Sequence, residues 1–286
     1  MIMSMACFAV EDTFIKLLSA RLPATQILFS IGFGGALITL VLAIVLNVNL
    51  ADKILLNKHV ISRTIADLFG ALSFTSAMVL IPMSLLASIL QATPLFVTLG
   101  AAILLGEKVG WRRWSAIFIG FLGVIIILQP GYGSFQLASL LGLAAVLCLA
   151  LRDVVTRDMA TEIPTLTVTF YACLAMGSAG FIAYPFFGPP IMPTTYEAII
   201  LICAAIIGLT GYFLLVLATR KGDVSVIAPF RYSRLLFSLG LASLILGEKL
   251  TLPILLGGLL VVSSGIYTFG REKILVKIQK SVNHNI

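Results

Sequence analysis

Leu105-Gly106-Glu107-Lys108 returns 141 residues later as Leu246-Gly247-Glu248-Lys249. An internal repeat outranks any single motif, because it fixes the unit from which the fold is built. The same offset pairs Asp12 with Asp153, Pro23 with Pro164, Ala77 with Ala218, Ser84 with Ser225, Ala87 with Ala228 and Phe96 with Phe237. Past the second copy the offset becomes 142, which pairs Gly123 with Gly265. One half of the 286-residue chain is therefore a duplicate of the other. Each half holds an odd number of long apolar stretches. If each stretch crosses a bilayer, the second half must lie upside down relative to the first, an arrangement found in transporters.

Composition supports the bilayer. Apolar residues make up 60% of the chain, charged residues only 11%, and mean hydropathy is +1.11. A soluble domain carries roughly a quarter charged residues. The apolar residues come in runs of about 20, the length of helix that crosses a hydrocarbon core. The net charge of +7 comes from Lys and Arg scattered among the connections, which fits topogenesis and not nucleic-acid binding. Cys7, Cys148, Cys173 and Cys203 all fall in apolar runs and read as small buried residues, neither a disulfide framework nor a metal site. The opening segment lacks a basic n-region and a small-residue cleavage site, so it reads as a first span and not a signal peptide.

Ten spans are expected, near 2–20, 24–46, 62–81, 84–105, 112–129, 137–157, 164–187, 196–219, 224–246 and 252–270. They fall into halves at 1–130 and 136–270, joined by Pro130-Gly131-Tyr132-Gly133-Ser134 and followed by a basic tail, 271–286. The fold class is thus all-α integral membrane, ten transmembrane helices in two inverted five-helix repeats. Fourteen Lys and Arg fall on the side of the even-numbered connections and the tail, whereas only Arg21 and Lys249 fall on the other. Basic residues stay cytoplasmic, which puts both termini inside and the two Gly-Glu-Lys motifs on opposite faces.

Catalytic signatures are absent: the chain has no GxSxG, HExxH, Walker loop or CxxC. His59 lies in a connection and His284 in the tail, so neither a metal, a cofactor nor an enzymatic base is expected.

Charge within the spans is the informative feature, since each such group costs about 2.5–3.5 kcal/mol at the bilayer centre and tends to face a cavity or a partner. The first span carries Glu11, Asp12 and Lys16. Asp12 and Lys16 share a face and can pair, and Asp153 with Arg157 repeats the spacing in the sixth span. These four read either as structural ion pairs or as coupling and gating groups. Glu11, about 100° round the helix from Asp12 and without a partner four residues away, is the candidate proton carrier.

The ninth span, Val226-Ile227-Ala228-Pro229-Phe230-Arg231-Tyr232-Ser233-Arg234, sets two arginines on one face after a proline that can kink the helix. Counted from Val224, they fall about 10–15 Å into the span at 1.5 Å per residue. Arg231 and Arg234, with Tyr232 between them, read as contacts for an anionic or zwitterionic solute. The alternative is that they pair with Glu11, Asp12 or Asp67. Asp67, four residues past Arg63, is expected to pair with it. In the matching fourth span Gln91, Thr93 and Pro94 interrupt the apolar run; Gln91 and Thr93 either line the same cavity or hydrogen-bond between helices. Tyr212, beside Gly211, reads as cavity wall for a ring-bearing ligand or as close packing. Gly32, Gly34, Gly35, Gly120 and Gly123 read as helix-packing positions.

The motifs together resemble the drug/metabolite transporter superfamily, EamA type. The resemblance rests on a Gly-Glu after the fourth span of each half and on the stretch Gly106-Glu107-Lys108-Val109-Gly110-Trp111-Arg112-Arg113-Trp114 leading to Ile119-Gly120-Phe121-Leu122-Gly123-Val124. It rests also on Ala218-Thr219-Arg220-Lys221-Gly222-Asp223 before Ala228-Pro229-Phe230-Arg231-Tyr232. It spans residues 1 to about 270. What it implies is a secondary transporter of a small polar organic metabolite in a bacterial inner membrane, working by alternating access, with proton coupling one option. Substrate, direction, coupling ion and oligomeric state stay open. The competing reading is a non-transporting membrane scaffold or lipid-handling protein of the same fold.

Overall fold

The computed structural model describes residues 1–50, 58–104, 110–129, 136–157, 164–186, 189–221 and 228–267. The first Leu-Gly-Glu-Lys copy (105–108), the 130–134 linker and the 271–286 tail lie outside the described residues, as does the side chain of Arg157. The described residues form helices and no strand. They are α1 (Ile2–Leu18), α2 (Ala24–Val45), α3 (Lys58–Leu80), α4 (Met83–Leu90), α5 (Thr93–Leu104), α6 (Trp111–Leu128), α7 (Ser139–Arg157), α8 (Thr165–Ala183), α9 (Thr195–Lys221), α10 (Ser233–Leu244) and α11 (Leu252–Tyr267). Short 3-10 turns cover Tyr184–Phe186 and Ala228–Tyr232.

Among the described residues, five stretches are long and apolar enough to cross a membrane: Ala24–Val45, Ile61–Leu80, Met83–Leu104, Thr165–Ala183 and Thr195–Ala218. Trp114–Leu128 and Leu252–Tyr267 are shorter apolar helices. Helices α1, α7 and α10 are not among these, and they are the ones that carry Asp12, Asp153 and Arg234 into the interior.

Proline sets several boundaries. Pro23, Pro82 and Pro164 stand just before α2, α4 and α8, where the missing N–H costs nothing. Pro94 explains why α4 and α5 are two helices and not one. Its ring excludes the hydrogen bond to the Leu90 carbonyl four residues back. The Thr93 hydroxyl donates to that carbonyl instead, at 2.7 Å. Arg231 belongs to the 3-10 turn and Arg234 to the first turn of α10, so the helical path changes between the two arginines; residues 222–227, from which their depth was counted, lie outside the described residues.

The broadest packing is α2 on α8, followed by α3 on α7 and α1 on α9. Close approach in the first pair depends on glycine: a Cβ at Gly32 would strike the backbone of Gly177, and one at Gly180 would reach the Thr25 carbonyl at 2.6 Å. Gly123 and Gly257 do the same for α6 and α11. Further contacts join α1 to α10 and α5 to α7, α2 to α9 and α3 to α8, and α4 to α10.

A dry apolar cluster fills the end of the bundle where α1 and α3 finish and α2, α4 and α9 begin. Ile15, Leu18, Ile27, Met78, Met83, Leu86, Ile89 and Leu201 belong to it. At the same end Arg21 forms an ion pair with Glu197, and Gln26 exchanges hydrogen bonds with the backbone of Ile191 at 2.7 and 2.9 Å.

Candidate solute cavity

A cavity lies on the far side of that cluster, toward the end where α1 begins and α7 and α9 finish. Its wall includes Phe8, Glu11 and Asp12 of α1, Asp67 and Phe74 of α3, Gln91, Thr93 and Pro94 at the α4–α5 break, and Arg152 and Asp153 of α7. Cys173 and Met176 of α8, Gly208 and Tyr212 of α9, and Arg231 and Arg234 complete it. Both halves of the sequence therefore contribute charge to one space.

Three aspartates in this space are paired with arginine. Asp12, 2% exposed, accepts from Arg234 through Nε at 3.2 Å and Nη2 at 2.9 and 2.8 Å, a two-pronged grip that a planar guanidinium makes well. The Arg234 guanidinium also lies 5.3 Å from the Phe8 ring centre and 5.8 Å from that of Phe74, on a cation–π footing. Asp153 accepts from Arg152 at 2.8 Å and from Arg231 at 3.1 Å. Arg152 reaches on to Asp67 at 3.3 Å, and Arg63 approaches Asp67 at 3.3 Å while donating to the Tyr212 hydroxyl. The chain Arg231–Asp153–Arg152–Asp67–Arg63–Tyr212 crosses from the 3-10 turn before α10 to α7, α3 and α9. Burying such charges is tolerable only because each has a partner.

Glu11 is the exception. Its carboxylate lies in the cavity wall against Gly208 of α9, where a Cβ would strike it. Among the described residues it makes no hydrogen bond or ion pair. With four arginines and three aspartates already matched, Glu11 is the fourth acid, and its ionisation decides whether the group is neutral or carries a net positive charge.

Several expectations need correcting. Lys16 does not pair with Asp12; its ammonium donates to the carbonyls of Met78 and Ile81 at 2.8 and 2.7 Å, a turn nearer the apolar end. Arg234 takes Asp12 because it projects into the cavity and its fork fits both carboxylate oxygens. Asp153 is held by Arg152 and Arg231. Arg231 pairs with neither Glu11, Asp12 nor Asp67, the partners weighed from sequence. Tyr232 is no part of the cavity wall: it is 4% exposed and its hydroxyl occupies the space that a side chain at Gly265 would fill. Gln91 and Thr93 line the cavity, but their hydrogen bonds stay local, to the Ala87 and Leu90 carbonyls of α4, and do not reach a neighbouring span. Tyr212 lines it as well.

Asp67 takes the Arg63 partner expected from the four-residue spacing, whereas Arg152 had no expected place in the cavity. A signal existed: at the offset of 141, Arg152 stands where Glu11 stands in the first half, so Glu11-Asp12 corresponds to Arg152-Asp153. Phe8 and Phe74 carried no signal, being two of eighteen phenylalanines in an apolar chain.

The model of the EamA-like transporter family matches residues 1–129 and again 136–269. An S-adenosylmethionine uptake transporter of Rickettsia prowazekii is 23% identical over 95% of this chain and 92% of its own length. A pseudopaline exporter of Pseudomonas aeruginosa is 26% identical over 89% of both chains. A riboflavin transporter of Rhizobium johnstonii is 27% identical over 74% of this chain and 70% of its own. A solved crystal structure has a similar fold, with a TM-score of 0.62 at 18% identity, covering 95% of this chain and 98% of the other.

Proposed function

This chain belongs to the EamA-like transporter family, and from that premise we propose that it is a secondary transporter of a small polar organic metabolite in a bacterial inner membrane. The observation that carries the reading is a charge-lined cavity built by both halves and closed at one end by dry apolar packing. Such a site serves alternating access when the closed end and the opposite end exchange roles.

Ten spans in two inverted halves give the frame. The contact pattern supports it: under the offset of 141, α3 on α7 corresponds to α9 on α1, α1 on α10 to α7 on α5, and α2 on α9 to α8 on α3. Both termini are cytoplasmic in this frame, by the distribution of Lys and Arg, and the closed end faces outward. Reporters fused after Lys108 and after Lys249 are then expected on opposite faces of the membrane. Finding both in one compartment would overturn the inverted arrangement.

The solute carries charge of both signs. Arg231 keeps 29% of its side chain exposed beside Asp153 and offers a guanidinium to a carboxylate or phosphate. Glu11 offers a carboxylate with no partner of its own to a cationic centre, or takes a proton in its place. Purified protein in liposomes is expected to exchange at least one labelled solute from a panel including S-adenosylmethionine, riboflavin and zwitterionic amino acids. An inside-acid or inside-alkaline gradient should drive its accumulation. Glu11→Gln should retain exchange and lose the effect of the gradient, because an amide neither gains nor loses the proton. Unchanged gradient dependence would remove Glu11 from coupling. A protein that moves nothing in the panel would favour the scaffold or lipid-handling reading.

A further inference from the structure

Neither Gly247 nor Glu248 of the second Gly-Glu copy is part of the cavity wall, yet this copy ties the two halves together at the closed end. Gly247, with φ of +65°, turns the chain back after α10 so that the Glu248 N–H donates to the Ala242 carbonyl at 3.0 Å. A side chain at 247 would strain this left-handed backbone. The turn delivers the Glu248 carboxylate to the start of α4. There it accepts from the backbone N–H of Met83 at 2.7 Å, from that of Ser84 at 2.9 Å and from the Ser84 hydroxyl at 2.6 Å.

The start of α4 needs such a partner. Pro82 precedes it and provides no side-chain cap, so the first N–H groups of the helix have no local acceptor. A carboxylate at a helix N-terminus also answers the positive end of the helix dipole. On the other side of the same turn, α3 ends with open carbonyls, and Lys16 of α1 supplies the ammonium to those of Met78 and Ile81. The α3–α4 turn is thus held between a cation on its carbonyl end and an anion on its amide end. The anion comes from the other half of the protein.

We infer that Glu248 is the latch of the closed end: its bond to Met83 and Ser84 must break for the cavity to open there, and its strength sets the balance between the two facing states. The inference rests on the alternating-access reading above. Opening that end requires α10 to leave α4, against which it packs beside Ser88 and Gly258. The other clasp at this end, Arg21 with Glu197, has its arginine side chain 43% exposed, and solvent-screened pairs contribute little. That arginine bridges the halves with bonds to the Glu197 carboxylate and the Met192 carbonyl, all from an exposed guanidinium, whereas the three donors to Glu248 meet a half-buried carboxylate and weigh more. Glu248 is a positioning residue and touches no solute.

The test is thiol accessibility in sealed membrane vesicles of both orientations, with Cys7, Cys148 and Cys203 replaced by alanine. Native Cys173 reports the cavity, and Ser88→Cys, at a position fully buried at the closed end, reports the latch side. With a membrane-impermeant maleimide, Glu248→Gln is expected to raise labelling of the Ser88→Cys thiol roughly tenfold, the response to about 1.4 kcal/mol. The label should enter from the face opposite the one that reaches Cys173, and Cys173 labelling should fall. A reciprocal change marks a shift between two closed arrangements. Both thiols labelling faster together, or neither changing, would overturn the latch, since a cap that only stabilises the fold has no sidedness. If Glu248→Gln does not accumulate, Ser84→Ala removes one of the three donors and must show the same reciprocal change on a smaller scale, or the inference fails. Labelling needs no solute, so it reads the latch whether or not the solute panel has succeeded.

Discussion

Replacing Arg234 with alanine is expected to lower the stability of the protein by about 3–5 kcal/mol, the cost of leaving a buried charge without its partner. Asp12 is 2% exposed, and Arg234 donates three hydrogen bonds to its carboxylate oxygens, at 2.8–3.2 Å. No water replaces the guanidinium at equal gain in so dry a place. Melting in detergent should move down by roughly 10 °C, taking the response of a chain of this size to be about 2–4 °C per kcal/mol. Asp12→Asn in the same chain should return much of the loss, because the amide has no charge to strand. The coupling between the two positions is what a double-mutant cycle reports. Arg234→Lys should fall between, keeping the charge and losing the fork. An Arg234→Ala protein that melts with the wild type would show that the pair does not hold the bundle, and that Arg234 is at leisure to serve the solute.

Gly32→Val is expected to be as damaging for a different reason. The neighbour in its way is the backbone of Gly177, which cannot rotate aside as a side chain does. Overpacking of a core costs about 1–3 kcal/mol when side chains can adjust; here α2 and α8 must move apart along the broadest interface between the halves. The expected outcome is loss of a monodisperse species in fluorescence-detected gel filtration. Gly240→Ala is the control. It lies within α10 with nothing inside 4 Å of the added Cβ, so removing backbone freedom should stabilise by about 0.5–1 kcal/mol. If Gly32→Val and Gly240→Ala behave alike, close packing of α2 on α8 is not what the glycine provides.

Much of the molecule was legible before any coordinates. Runs of about 20 apolar residues dictate helices wherever water cannot satisfy the backbone. Pro23, Pro82 and Pro164 mark helix starts for the local reason that they lack an N–H. The duplicated Leu-Gly-Glu-Lys and its offset divide the chain into two halves of similar length. Charges in apolar spans, Glu11, Asp12, Asp153, Arg231 and Arg234, stand out by cost alone as groups that need a cavity or a partner; all five lie in the cavity wall and all but Glu11 are paired there. Tyr232 was wrongly included because adjacency to two arginines says nothing about direction; in the 3-10 turn it projects toward Gly265 instead.

Pairing was legible in the sequence for Arg63 and Asp67, which share a helix, and mostly not where the partners come from different helices. Spacing of four residues favours Asp12 with Lys16, and within an isolated helix it would win. Tertiary packing brings α10 against α1 and gives Asp12 the fork of Arg234, while Lys16 finds the carbonyls at the end of α3. Asp67 and Asp153 share Arg152 only because α3 and α7 lie side by side. The partner of Glu248 depends on the same cause: a motif visible as a repeat acquires its function from α4, 164 residues earlier in the chain. Local chemistry fixes which helices form and which residues are too costly to face lipid; which charge meets which across helices is decided by how the two halves pack.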